Sequence, residues 1–226
     1  MAVAINTYSG ILGGVLSWLG RDASGETIIT SRFDDLLALC ERRMYYGYAT
    51  EDVGNVLRSD PLRIVEMETV DTAFSLSSGT VAQPTNFLEL ISAYNNSDTA
   101  PIQIVAQRHI DGFGSQALGR TGGMMAISGE NFRVFDAPTT AITATLRYYQ
   151  KLTTPAGSTV NDILTNYPDV YLYGCLIEAC IRTQDEPGAL RYLSMYNASV
   201  QGLNARTQRI TASSAPLMRV RAGRMP

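Results

Sequence analysis

Between Leu146 and Cys180 the sequence runs strand, turn, short helix and apolar helix, and this order limits the possible folds more than any other stretch. Ile142, Thr143, Thr145 and Leu146 lead into the pair Tyr148–Tyr149, an alternating, β-prone run that reads as a half-buried strand. Thr154-Pro155-Ala156-Gly157-Ser158 breaks it. Ser158 or Thr159 is placed to cap a short helix through Ile163, Leu164 and Tyr167, which Pro168 ends. From Asp169 onward Val170, Tyr171, Leu172, Tyr173, Cys175, Leu176, Ile177, Ala179, Cys180 and Ile181 surround the next helix with apolar groups. A helix apolar on nearly all sides is a core element or packs against copies of itself.

The rest of the chain sorts by period. Thr7 to Leu19 reads as an amphipathic helix with Trp18 as its anchor, and Ser31 to Tyr46 as a second behind a Thr30/Ser31 cap. The period then becomes two: Leu62 to Val70, Thr72 to Leu76, Phe87 to Tyr94 and Ile102 to Val105 alternate as strands. Asn95 to Asp98 supplies a turn. Met124 to Ser128 and Phe132 to Phe135 form a hairpin around Gly129-Glu130-Asn131. A last helix starts at Asp185 or Glu186, with Pro187 in its first turn, and runs to about Arg209. Its expected buried stripe is Leu190, Leu193, Tyr196, Val200 and Leu203. Helices therefore flank a block of strands. The expected class is α+β: an α-helical bundle from 1–59 and 153–210, a β-rich insertion over 60–152, and an extended basic arm over 211–226.

Three patches carry a family resemblance. Asn161 to Ala179, above all Tyr167-Pro168-Asp169-Val170-Tyr171-Leu172-Tyr173-Gly174, resembles the corresponding block of the head-tail adaptor (connector) proteins of tailed bacteriophages. Pro84-Thr85-Asn86-Phe87-Leu88-Glu89-Leu90 is similar to an earlier strand of that family, and Gln184-Asp185-Glu186 to the acidic start of its last helix. The order of elements agrees over roughly residues 30 to 210. The resemblance implies a ring, usually of twelve copies, stacked under the portal protein in the virion neck and meeting a tail or nozzle protein below. It also implies a channel for packaged DNA, a C-terminal arm fastened to the portal, and synthesis in the host cytoplasm.

Composition agrees with a chain largely covered by neighbours: charged residues are only 17%, with a hydrophobic content of 45%. Cys40, Cys175 and Cys180 lie in apolar helical patterns and read as buried free thiols of a reducing compartment. The apolar run Ile11 to Leu19 is too short to span a bilayer, so no membrane partner is expected.

A search for chemistry returns nothing catalytic, and no metal or cofactor site. His109 is the only histidine, and the nearby Ser115 lacks the G-x-S-x-G elbow. The cluster Gly119-Arg120-Thr121-Gly122-Gly123 lacks the G-K-[ST] ending of a phosphate loop. It reads as a loop whose Arg120 faces the channel or DNA. Asp34/Asp35 and Asp185/Glu186 suit first helical turns, and Glu66/Glu68 suit one solvated strand face. The tyrosines, including Tyr148, Tyr149, Tyr167, Tyr171, Tyr173, Tyr192 and Tyr196, sit at core spacing; packing of helix on helix or subunit on subunit is expected.

The C-terminal segment is different. Arg206, Arg209, Arg219, Arg221 and Arg224 occur there with no acid, which leaves about −8 on the remainder of a chain of net charge −3. In Pro216-Leu217-Met218-Arg219-Val220-Arg221, Leu217, Arg219 and Arg221 would share one side of an extended strand. Such a segment adds to a sheet edge or lies in a partner's groove. Portal docking is the preferred role. The alternative is a nucleic-acid-binding module using the basic tail and the tyrosines, against which the acidic remainder weighs.

Overall fold

The computed structural model describes residues 4–21, 27–48, 57–76, 79–97, 100–108, 123–135 and 141–211. The fold is α+β. The chain divides into two compact units: a helical one, Met1–Val65 with Pro155–Pro226, and a β unit, Glu66–Thr154.

The helical unit is built around the apolar helix read from the sequence. α1 (Tyr8–Trp18) is capped by Thr7, whose hydroxyl accepts from Gly10 N at 3.0 Å. The single turn α2 (Thr27–Thr30) precedes α3 (Phe33–Tyr46). The expected Thr30/Ser31 cap is not used. Thr30 closes α2, and Arg32 stands at the N-cap of α3 with no side-chain cap hydrogen bond, while Asp34 and Asp35 in the first turn complement the helix start. Gly47 ends α3 at φ +69°, where an added Cβ would lie 2.7 Å from Ser59 O.

α4 (Asp162–Asn166) is capped by Asn161 rather than Ser158 or Thr159; Asn161 Oδ1 accepts from Leu164 N at 2.8 Å. Thr159 is already committed to a tight turn, bonded in both directions with Ala156. α5 (Pro168–Arg182) follows, with Pro168 at its first position, where the missing N–H is harmless. α6 (Glu186–Thr211) is capped by Asp185, whose Oδ1 accepts from Gly188 N at 3.1 Å.

α5 contacts α1, α3, α4 and α6, which is why apolar groups are needed all round it. Tyr171, Cys175, Leu176, Ile177, Ala179 and Cys180 are all fully buried. The buried stripe of α6 is Ala189, Tyr192, Leu193, Tyr196, Val200 and Thr207. Leu190, expected inside, is 37% exposed, and Ala189 takes its place on the buried face.

Leu62 to Ile64 alternate as a strand would, but they pair with no strand among the described residues. Leu62 and Ile64 are buried in the helical unit, Leu62 N donates to Met44 O at 2.8 Å, and Asn204 on α6 grips Pro61 O and Arg63 N at 3.0 and 2.8 Å. Asn197, two turns earlier, donates to Arg58 O at 3.0 Å. The alternation marks an extended segment laid along α6. Asn204→Leu should cost about 1–3 kcal/mol in urea unfolding, because it removes two hydrogen bonds to part-buried backbone groups.

The β unit holds two four-stranded sheets. β1 (Glu68–Leu76), β8 (Ile142–Gln150), β3 (Phe87–Asn95) and β4 (Ala100–Pro101) form the first, in that order. β2 (Thr80–Ala82), β7 (Asn131–Phe135), β6 (Met124–Ser128) and β5 (Gln103–Ile104) form the second. β5 and β6 run parallel and the other pairs antiparallel. Residues read as two strands, Leu62 to Val70 and Thr72 to Leu76, are instead a 3₁₀ turn (Val65–Met67) and the one strand β1, bulged between Asp71 and Phe74. The core joins Leu76, Ala93, Met125, Phe132, Val134, Ala144, Leu146 and Tyr148. Phe74 and Phe87 meet Phe132 edge-on, with centroids 5.8 and 5.2 Å apart.

Candidate assembly surface

Two polar struts fix α3 against its neighbours. In the first, Arg43 donates through Nε and Nη2 to Glu178 Oε1 of α5, at 3.0 and 2.7 Å, and through Nη1 to Leu57 O at 3.1 Å. Its guanidinium lies over the Tyr48 ring, 4.8 Å from the centroid. In the second, Asn161 Nδ2 donates to the Tyr171 hydroxyl at 2.7 Å, and that hydroxyl donates to Glu41 Oε1 at 2.9 Å. Glu41 and Glu178 are thus spent on holding helices together. Tyr171→Phe removes the hydroxyl that bridges Asn161 and Glu41; a loss of about 1–3 kcal/mol in urea unfolding is expected.

The shifted groups of this unit all move upward. Tyr8 is raised to about 12, by burial and by the Asp34 carboxylate that accepts its hydroxyl; Cys180 is raised to about 11 by burial and Asp185. Burial does the same to Tyr171 and Tyr196. Folded values above the ordinary 10.0 for tyrosine and 9.0 for cysteine mean that the uncharged forms are favoured by folding. Their contribution is complete below the unfolded values and is lost as pH rises through the folded ones. The urea midpoint should therefore hold up to about pH 9 and fall beyond about pH 10.

The tyrosines divide by position. Tyr171 and Tyr196 are fully enclosed in the helical unit, and Tyr148 lies in the core of the β unit. Tyr149, Tyr167 and Tyr173 are partly exposed. Tyr173 and the buried Tyr192 flank Trp18 at 5.8 and 6.1 Å, and Trp18 remains 46% exposed. Tyr167 accepts from Arg206 of α6, whose guanidinium also lies over its ring. Glu68, expected on a solvated face, is only 7% exposed and pairs with Arg147 of β8, while Glu66 sits in the 3₁₀ turn.

The surface feature that sequence reasoning missed is a groove beside the first strut. Leu39, Tyr46, Tyr48 and Ile181 are 45%, 60%, 41% and 42% exposed, and they line, with Arg42 and Leu57, a cavity of about 780 Å³. A second cavity of about 320 Å³ shares Leu57 and Ile181 with it and reaches Leu190. Tyr46 and Tyr48 have the residue type of the buried tyrosines; only the helical phase of α3, which sends Leu36, Leu37, Cys40 and Met44 inward, marks Leu39 and Tyr46 as outward. His109, Ser115, Arg120 and the arm Pro216, Leu217, Met218, Arg219, Val220, Arg221 and Arg224 lie outside the described residues.

Among the described residues there is no group of three His, Cys, Asp or Glu side chains placed to hold a metal ion, and no helix long and apolar enough to cross a membrane. The profile of the family described as SU10 adaptor protein matches residues 6–221, through both units and into the arm. The chain belongs to the SU10 adaptor protein family. No curated protein matches it. Family membership makes this a structural adaptor protein of a phage, with portal and tail proteins as its associates and the virion neck as its place. The adaptor's strutted α3–α4–α5 core and its two-sheet β unit suit a scaffold that presents surfaces to other proteins.

Proposed function

We propose that this adaptor forms a ring, of twelve copies by analogy with the head-tail adaptors it resembles, seated under the portal, extending the DNA channel and offering the platform on which the tail or nozzle is built. The family match carries the proposal, because it spans nearly the whole chain and continues through Pro216 to Arg221. Attachment is by the basic arm: each arm binds modestly, and a closed ring engages many arms at once, so release of the ring becomes very slow. Remaining apolar surface at Leu39, Tyr46, Trp18 and Ile181 is available for neighbouring subunits. The sequence from Glu66 to Thr154 holds eight acidic and five basic residues. A net negative unit of this kind, turned to the channel, repels phosphate and lets DNA pass without sticking.

The test is cryo-electron imaging of the adaptor with its portal, using the full chain and a chain ending at Thr211. A ring that seats on the portal only with the arm present supports both ring and arm. Protein that ignores the portal in both forms, and instead binds DNA with a steep salt dependence, would establish the nucleic-acid-binding alternative.

A further inference from the structure

The groove beside the Arg43–Glu178 strut leaves Leu39, Tyr46, Tyr48, Ile181 and Leu190 exposed along two cavities that share Leu57. An apolar patch of this kind marks a contact surface. Its place along α6 is fixed at both ends. Asn197 donates to Arg58 O at 3.0 Å, which sets the level of Leu57, and Leu190 and Glu186 line the far end. α6 rises about 1.5 Å per residue, so Asn197, Leu190 and Glu186 lie about 21, 32 and 38 Å back from Thr211 along its axis. The basic arm leaves the helix at that same Thr211. An extended chain advances about 3.3 Å per residue, so Met218, Val220 and Arg224 reach about 23, 30 and 43 Å from Thr211.

We propose that in the free chain the arm turns back along α6 and lies in its own groove. The two patterns match in order. On an extended arm Met218, Val220, Ala222 and Arg224 share one side, apolar first and basic last. Met218 and Val220 reach the apolar stretch between Leu57 and Leu190, and Arg224 reaches Glu186, an exposed carboxylate in the first turn of α6. Arg42 lines only the larger cavity, opposite the uncharged part of the arm. Leu217, Arg219 and Arg221 stay on the outward side, open to the portal. Tethering gives the arm a local concentration on the order of millimolar at the groove, so a modest apolar contact is enough to fill it. The consequence for assembly rests on the ring proposal: a groove covered by its own arm does not accept a neighbouring copy. The portal, by drawing the arm off, uncovers Leu39, Tyr46 and Ile181 and so makes contact between subunits follow docking.

The experiment uses the full chain without portal, carrying the photo-crosslinking residue p-benzoylphenylalanine at position 218. Irradiation should join that position to the groove, at Leu39 to Tyr48 or Ile181 to Leu190 of the same chain, with a yield that does not change on dilution. Ile181→Glu places a charge in the groove and should lower the yield about tenfold, the loss expected for one apolar contact. Val220→Asp should lower it to a similar extent, and because it lies beyond α6 it leaves the fold of the groove untouched. No adduct, an adduct elsewhere on the chain, or a bond to a second chain overturns the proposal, as does a yield that neither variant reduces. The portal is absent throughout, so failure here leaves the ring reading to its own test by imaging with the portal.

Discussion

Replacing Arg43 with methionine should lower the unfolding free energy of the helical unit by about 3–5 kcal/mol, the cost of leaving a buried charge without its partner. Arg43 is 3% exposed and Glu178 10%, so neither can turn to water when the other is lost. The guanidinium satisfies three acceptor contacts at once, two on Glu178 Oε1 and one on Leu57 O, and it fills the space under Tyr48. Methionine keeps much of the volume and none of the donors. Typical domains have only about 5–15 kcal/mol in hand, so the single variant should be strongly weakened. The double variant Arg43→Met with Glu178→Leu should recover most of the loss, since it removes the stranded carboxylate as well. Urea unfolding followed by circular dichroism measures both. Equal losses in the single and double variants would mean that packing around Tyr48, and not the ion pair, holds α3 to α5.

The fold was legible where one residue type has one reason to be where it is. Pro187 marks a helix start because only a first turn tolerates it, Pro168 marks the break between α4 and α5, and the all-round apolar character of α5 does make it the centre of its unit. The cap of α4 was misread: Ser158 or Thr159 was expected, but Thr159 is held in the tight turn with Ala156, and Asn161 caps the helix. The extended segment at Leu62 to Ile64 was misread for a physical reason. Period-two burial follows from any straight chain lying on an apolar surface, and here the surface is α6, with Asn197 and Asn204 replacing a neighbouring strand. β2 and β4, at three and two residues, are too short to carry an alternation at all.

The groove beside the first strut was not legible in the sequence. Tyrosine spacing pointed to packing, but a ring that anchors a core and a ring that waits for a partner have the same sequence signature. Tyr45 and Tyr46 are adjacent, yet one is 4% exposed and the other 60%. The helix phase separates them, and it becomes secure only when Glu41 and Arg43 are seen to point inward against the usual expectation for charged residues. A polar residue buried for the sake of a strut thus hides the apolar residue displaced to the surface beside it.

Reversing Arg219 and Arg221 together to glutamate should leave the protein folded and abolish its attachment to the portal. Both arginines would lie on one side of an extended segment together with Leu217, so a single docking face would lose two positive charges and gain two negative ones. A charge-assisted hydrogen bond is worth roughly 1.5–3 kcal/mol, and reversal adds repulsion to that loss. The effect on a ring is far larger than on one arm, because avidity multiplies every arm's loss by the number of arms engaged. A single Arg224→Ala removes less from each arm and should weaken attachment less than the double reversal does. Sedimentation of adaptor with portal, set beside melting curves for each variant, separates attachment from folding. Normal co-sedimentation of the double variant would remove the arm from the docking role. Lost attachment with an unchanged melting curve would place the portal contact on the Leu217–Arg219–Arg221 face, and would leave the groove at Leu39 and Tyr46 for contacts between subunits.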